Sequence, residues 1–491
     1  MAVPAARSTK PHEASNEVER TRLRAHVHST TKRADGYERR RPEETALHKI
    51  VQRAWPSFVD RCDEAGGLPK FVRREVEGYL RCGLLEHGCV RLRCEGCDEE
   101  IVVAFSCKAR GFCPSCVARR MADVATHLVD EVLPEVPVRQ WVCTLPWALR
   151  KHAGYKRAIC TDIIEAFVAS LTTELRQRAK RHLGLSSVSE AHTGLVTFVQ
   201  RSDGAMRLNV HLHTLALDGV YVRNADGKLG FHALAPPTTE EVHAVAKRMH
   251  ARLERLCAKH GVSGDADEQA SALAVCMDAA AQDVSLFGER AGERTKKLVQ
   301  AVRAAEGRLA SPFVAEVGGV NIHAGVAVHG RDRQALERLC RYVTRPPIAL
   351  ERLTRRDDGC VEYAFRKPWR DGTRAVVLMA EDLLARLCAM VPPPRFHLTR
   401  YAGVLASNAA LRGEVVPGRA RAQRREDGPC EAIQRELFSE EKRKDVHASR
   451  HPWAWLLKRV FAVEVLVCVH CAGKLRLVEI ATEPAAIKRV I

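Results

Sequence analysis

The sequence predicts an α+β fold: antiparallel strands backed by helices, with a cysteine-rich module ahead of them. Three observations carry this. "GLVTFVQ" and "LNVHLHTLALDGVYV" are apolar, β-rich runs joined by a turn containing Asp-Gly, the pattern of paired strands. Residues 157–184 and most of 238–310 show helical periodicity instead. Residues 82–116 hold seven of the eighteen cysteines. The chain has 491 residues, too many for one ordinary core, so about two to four domains are expected.

The elements follow in order. Residues 1–45 are charged and turn-rich and read as a basic disordered arm. Residues 46–130 carry two helical pieces broken at Gly66 and Gly67, then the cysteine cluster, then the helical "ARRMADVATHLVDEVLP". Residues 131–411 contain strands at 138–145, 194–200, 208–217, 219–223 and 317–328, enough for a five-stranded sheet. Helices at 157–184 and 331–345 would cover one face, the second stopped by Pro346 and Pro347. The other face would stay open, with residues 238–310 as a helical insertion. A basic linker, 412–449, leads to a small C-terminal module, 450–491.

The formal net charge is +18, from 78 Lys+Arg against 60 Asp+Glu, which suggests an anionic polymer partner, nucleic acid first. Aromatic content of 5% offers no stacking platform for an RNA-binding protein. The chain opens without the apolar core of a signal peptide, and no apolar run reaches the roughly 18 residues of a membrane span. A cytoplasmic protein is therefore expected, and its cysteines call for metal ligands or buried thiols rather than disulfides.

"CEGCDEEIVVAFSCKARGFCPSC" contains two C-x2-C pairs separated by fifteen residues. Two such knuckles complete a tetrahedral thiolate site, so Cys94, Cys97, Cys113 and Cys116 are expected to hold a structural Zn2+. Cys82, His87, Cys89 and Cys107 are spare candidates, Cys82 and Cys107 forming the second tier. Lys108, Arg110, Arg119 and Arg120 surround the knuckles and are expected to contact DNA. Cys468 and Cys471 form one more C-x2-C without a second pair in sequence, and read as a half-site or remnant.

His211 and His213 lie two apart on a strand and share a face, about 7 Å apart by strand rise, while Val210, Leu212 and Thr214 face a core. Paired imidazoles are a half-built metal site that still needs a third ligand. A helix in "LERLCRYVTRPP" would bury Leu336, Leu339, Cys340 and Val343 and leave Tyr342 on its flank. Arg338, Arg341 and Arg345 surround that tyrosine, which could attack a phosphodiester and store the bond energy as a phosphotyrosine.

These segments, together with "VPVRQWVCTLP" and "VPPPRFHLTRYAGVLASNAALR", occur in one order, and over roughly residues 46–411 the chain resembles the rolling-circle transposases of the insertion sequence 91 family and its common-region relatives. They are HUH endonucleases, named for histidine–hydrophobe–histidine. The resemblance implies an antiparallel HUH sheet backed by helices, with a zinc ribbon before it. It implies a strand nickase and transferase for single-stranded DNA at transposon ends and target, nucleoid-associated when active. His211 and His213 would hold Mg2+ or Mn2+, with Gln200 or His323 as third ligand, and Tyr342 would be the nucleophile. Position 338 is Arg, so the chain resembles the single-tyrosine branch, and Tyr363 and Tyr401 are expected to be structural. The competing reading is a zinc-ribbon DNA-binding regulator without catalysis.

Overall fold

The alternation in the histidine strand decides how the protein is layered. The computed structural model describes residues 39–262, 271–300, 312–369, 371–418 and 467–491. The cysteine-rich module consists of α1 (Ala46–Glu64), α2 (Lys70–Arg81), β1 (Cys89–Cys94), β2 (Glu100–Ala104) and α3 (Pro114–His127). The central region continues with β3 (Val138–Thr144), α4 (Trp147–Tyr155), α5 (Arg157–Leu183), β4 (Gly194–Ser202), β5 (Leu208–Leu217), β6 (Gly219–Arg223) and β7 (Leu229–Ala233). After α6 (Thr239–His260) and α7 (Ala272–Gln282) come β8 (Lys296–Val299), β9 (Val314–Val317), β10 (Val320–Val328) and α8 (Arg333–Val343). The remaining elements are β11 (Leu353–Arg355), β12 (Val361–Ala364), β13 (Thr373–Leu378), α9 (Ala380–Met390), β14 (Thr399–Gly403), α10 (Arg412–Val415), β15 (Leu475–Ala481) and α11 (Pro484–Val490).

The main sheet has six antiparallel strands in the order β14-β4-β5-β3-β10-β9. The sequence reading anticipated four of them. It placed 219–223 in this sheet, but β6 leaves it after Asp218 and pairs with β7 in a separate hairpin. Asp218 is buried and clamped by Arg139 of β3, with nitrogen–oxygen distances of 2.7 to 3.0 Å, so the chain turns away there. A four-stranded sheet, β11-β12-β13-β8, went unforeseen, and β8 lies in the segment expected to be a helical insertion.

Both faces of the main sheet are covered, and by different helices. Val210, Leu212 and Ala216 pack with Trp141 against Ile159, Ile163 and Phe167 of α5. Thr214 on this side is buried and hydrogen-bonded to Thr197 at 2.8 Å. On the opposite face Phe198, Leu215 and Leu217 pack against Leu336, Leu339, Cys340 and Val343 of α8. The expectation that 157–184 and 331–345 share a face is therefore corrected: α8 lies on the histidine face and roofs part of it. Its apolar stripe at i, i+3, i+4 and i+7 has only that side to bury against, because α5 occupies the other.

Two local devices fix the site's register. In the β4–β5 turn, Asp203 accepts from the backbone N–H groups of Ala205 (2.9 Å) and Arg207 (3.1 Å), which sets Gln200 opposite His211. At the entry to α8, a Cβ on Gly330 would lie 2.1 Å from the Val136 carbonyl, so only glycine lets the chain pass close enough to start the helix there. Among the described residues, no helix is long and apolar enough to cross a membrane. The expected basic arm and linker lie mostly outside the described residues, and residues 450–466 lie wholly outside them.

Candidate active site

β5 delivers both histidines to the face roofed by α8. Their ring centroids are 4.9 Å apart, closer than the roughly 7 Å of strand rise, because the rings lean together at 62°. The Tyr342 ring stands 6.0 Å from the His213 ring and perpendicular to it. Tyr342 is 42% exposed, because Leu339, Cys340 and Val343 take the buried side of the helix. The Asp332 side chain caps α8 by accepting from Ala335 N–H at 2.9 Å, and Thr344 Oγ1 donates to the Cys340 carbonyl at 2.7 Å before the two prolines end the helix. Arg345 lays its guanidinium over the Tyr342 ring, 4.4 Å from the centroid.

Proton positions on the two imidazoles follow from their partners. His211 Nδ1–H donates to the Asn209 carbonyl at 2.8 Å, which leaves a lone pair on Nε2. The Gln140 amide nitrogen lies 2.7 Å from His213 Nδ1, and the buried His213 Nε2 has no hydrogen-bond partner among the described residues. Turning the Gln140 amide over exchanges its nearly indistinguishable N and O. In that orientation Nδ1–H would donate to Oε1 and Nε2 would present a lone pair, the state a bound cation needs. Burial lowers the pKa of both rings; His213 falls to about 3, helped by His211 and Arg345. Both are neutral near pH 7. Gln140 was missed in the sequence, although its place two residues before Val142, which pairs with His213, was available once β3 was aligned.

The two candidates for a third ligand separate. Gln200 sits beside His211 across β4–β5, and its Nε2 donates to the carbonyls of Val343 (2.8 Å) and Tyr342 (3.4 Å). It thereby ties the last turn of α8 to the sheet. His323 pairs with Val142, itself paired with His213, so it stands two strands from β5, about 10 Å by strand spacing. Among the described residues, the groups of three or more His, Cys, Asp or Glu ligand atoms are two cysteine clusters, so neither His323 nor a carboxylate joins the imidazoles.

A cleft of about 650 Å³ opens at Tyr342, lined by Gln200 and Arg345 and by Arg110, Arg120, Arg366 and Lys367. Of the basic residues singled out in the sequence, Arg110 and Arg120 are partly engaged: Arg110 donates to the carbonyls of Phe396 and Pro393, and Arg120 to that of Lys108. Arg341 pairs with Glu337 at 2.5 Å, whereas Lys108, Arg119, Arg338 and Arg345 are exposed. Tyr363 is buried, its hydroxyl accepting from Ala349 N–H, and Tyr401 is half-buried on β14, so neither competes with Tyr342.

The cysteines correct the sequence reading. Cys94 and Cys97 do not meet Cys113 and Cys116. Cys82, Cys107, Cys113 and Cys116 form one cluster, and Cys94, Cys97, Cys468 and Cys471 form another. The cause is the β1–β2 hairpin: its second strand, Glu100–Ala104, carries the first knuckle about 17 Å from the loop holding Cys107. Cys82 ends α2 and Cys113 caps α3, so both reach the first cluster; Sγ–Sγ distances there are 3.4 to 3.7 Å. His87 joins neither cluster, and Cys89 is buried against Ala481 and Ile487. The α3 helix that starts at Cys113 shares a core with α8, since Ala125 is buried with Leu336 and Leu339. The module is thus part of the wall around Tyr342.

Two family models match the chain. Residues 50–145 match the "Transposase zinc-binding domain" of the insertion sequence 91 type, and residues 194–412 match the family described as "Putative transposase". The first contains Cys82, Cys107, Cys113 and Cys116; the second contains both histidines and the tyrosine. No curated protein and no solved structure matches the chain.

Proposed function

From the premise that the chain belongs to the insertion sequence 91-type transposases, we propose that it nicks and rejoins single-stranded DNA through a 5′-phosphotyrosine on Tyr342. The observation that carries this is the juxtaposition of Tyr342 with His213, 6.0 Å between ring centres, with Tyr342 lining a basic cleft. A DNA-binding regulator has no use for an exposed tyrosine held against a neutral, buried imidazole with a second imidazole beside it.

The residues fit a divalent cation, Mg2+ or Mn2+. The support is the orphaned Nε2 of His213, the lone pair on His211 Nε2, and the Gln200 side chain beside them as an oxygen donor. Such an ion supplies charge neutralisation at the scissile phosphate. Tyr342 Oη attacks phosphorus, the bond from phosphorus to the 3′ oxygen breaks, and that oxygen takes a proton from solvent and leaves as a 3′-hydroxyl. The tyrosine proton goes to solvent at the exposed mouth. Rejoining is the reverse: a 3′-hydroxyl attacks the phosphotyrosine and Tyr342 regains its proton. Arg345 sits where it can balance charge on the phosphate, and Gln200 holds the tyrosine turn in register. Cys82, Cys107, Cys113 and Cys116 hold a structural zinc, which fixes α3 and through it α8; four thiolates leave that ion no open position for chemistry.

The test is a strand-nicking assay on single-stranded element-end oligonucleotides with Mg2+, Mn2+ or chelator. Cleavage that needs the cation and leaves a 3′-hydroxyl supports the reading. Binding without cleavage under every cation condition would favour the regulator.

A further inference from the structure

We infer that Cys94, Cys97, Cys468 and Cys471 hold a second zinc ion, which staples the C-terminal segment to the cysteine-rich module. Neither matched family reaches residues 467–491, so the inference stands on geometry and is independent of the nicking mechanism. The four sulfur atoms lie within 4.8 Å of one another. Cys94 Sγ is 3.4 Å from Cys471 Sγ, and Cys97 Sγ is 3.5 Å from Cys468 Sγ. Thiolates at about 2.3 Å from zinc stand about 3.8 Å apart in a tetrahedron. A disulfide would bring two of them to about 2.05 Å.

The two knuckles are built alike. Gly96 N–H donates to Cys94 Sγ and Gly473 N–H donates to Cys471 Sγ, each at 3.3 Å. Such bonds favour the thiolate that a metal needs. A Cβ on Gly96 would lie 3.1 Å from Cys471 Sγ, and one on Gly473 would lie 2.9 Å from Cys94 Sγ. Each glycine therefore makes room for the sulfur of the opposite knuckle. Between them Glu95 N–H donates to the Lys474 carbonyl at 2.9 Å.

The ion would fasten a strand to the sheet beside it. β15 pairs with β1 from Cys89↔Ala481 to Cys94↔Leu475, forming the sheet β15-β1-β2. Among the described residues its buried ones are few: Leu92, Cys94, Cys468 and Leu475 in one cluster, Cys89, Ala481 and Ile487 in another. Clusters this small give a strand and a short helix little burial, and small modules of this kind gain from a metal or a covalent link. Zinc binding to deprotonated cysteines supplies it. The second cluster is also the more accessible, since Cys97 and Cys471 are exposed while Cys82, Cys113 and Cys116 are buried.

Native mass spectrometry of the full chain tests this. Wild type should carry two zinc ions, the Cys468→Ser/Cys471→Ser double variant one, and mild chelation of wild type should remove one ion before the other. One zinc in wild type, or two in the double variant, overturns the inference. Should the double variant fail to accumulate, wild type with a protease site inserted between residues 419 and 466 decides. After cleavage the C-terminal fragment should co-elute with the remainder in size exclusion and separate when the more accessible, second zinc is chelated. Co-elution that survives removal of the second zinc, or separation with both zinc ions bound, overturns it.

Discussion

The two kinds of ligand constellation in this chain are assembled in opposite ways. His211 and His213 come from three consecutive residues of one strand, so strand periodicity alone puts both imidazoles on one face. Each cysteine cluster instead gathers residues from distant elements, and one spans Cys94 to Cys471. Spacing of the C-x2-C type specifies a knuckle, a local turn with two sulfurs. It does not specify which knuckle is its partner, because that depends on where a hairpin or a distant strand carries it. The histidine pair is local and catalytic in the proposed reading; the cysteine pairs are non-local and structural. The zinc-held α3 and the tyrosine helix share a core, so the two regions meet on the buried side of the helix that carries Tyr342.

That difference can be sharpened by substitution, the largest effect first. Cys113→Ser should collapse the first cluster and cost much of the folding energy of the module, where structural zinc contributes on the order of 10 kcal/mol. Soluble yield and zinc content should both fall, and a Cys113→Ser protein with full zinc and full DNA binding would remove that cluster as the module's anchor. His213→Ala should leave the fold and DNA binding in place while cation-dependent nicking drops by more than about 100-fold. If nicking in Mg2+ persists at the wild-type rate, the paired-imidazole site is wrong.

Gln140→Leu should weaken cation affinity by about 10- to 100-fold, seen as a higher Mn2+ concentration for half-maximal nicking. An unchanged cation titration would show that Gln140 does not orient His213. Acidity provides a smaller, protein-wide effect. His213 stays neutral to about pH 3 when folded, against 6.5 when unfolded. The unfolded chain therefore takes up a proton that the folded chain refuses, and cation-free protein should lose stability as pH falls from 6.5 towards 3. Thermal unfolding in chelator should show a shallower slope for His213→Gln over that window; equal slopes would contradict the buried neutral ring. Arg345→Ala should have the mildest effect on binding, lowering the salt slope of DNA affinity by about one unit.

How much was legible in the sequence follows the same division. The stripe Leu336, Leu339, Cys340 and Val343 and the proline stop located the tyrosine helix and put Tyr342 on its exposed flank. The burial of Val210, Leu212 and Thr214 opposite the histidines was equally legible, because a period of two is a local property. Which face α8 covers was not legible, since an amphipathic helix packs on either side of a sheet and only the competing α5 decides. Nor were the edge strands, β9 and β14: short runs such as Val314–Val317 gain their identity from the neighbour that pairs with them. Gln140 was invisible for the same reason, being one polar residue in a strand whose meaning comes from the register of β3 on β5.

The measurement closest to the central claim is covalent trapping. A labelled single-stranded oligonucleotide bearing the cleavage site is incubated with the full chain and Mn2+, and the products are separated under denaturing conditions and digested for peptide mass analysis. The account predicts a cation-dependent adduct in which the peptide containing Tyr342 carries the 5′ phosphate of the DNA, and no adduct from Tyr342→Phe. An adduct on another residue, or one formed equally by Tyr342→Phe, would contradict it.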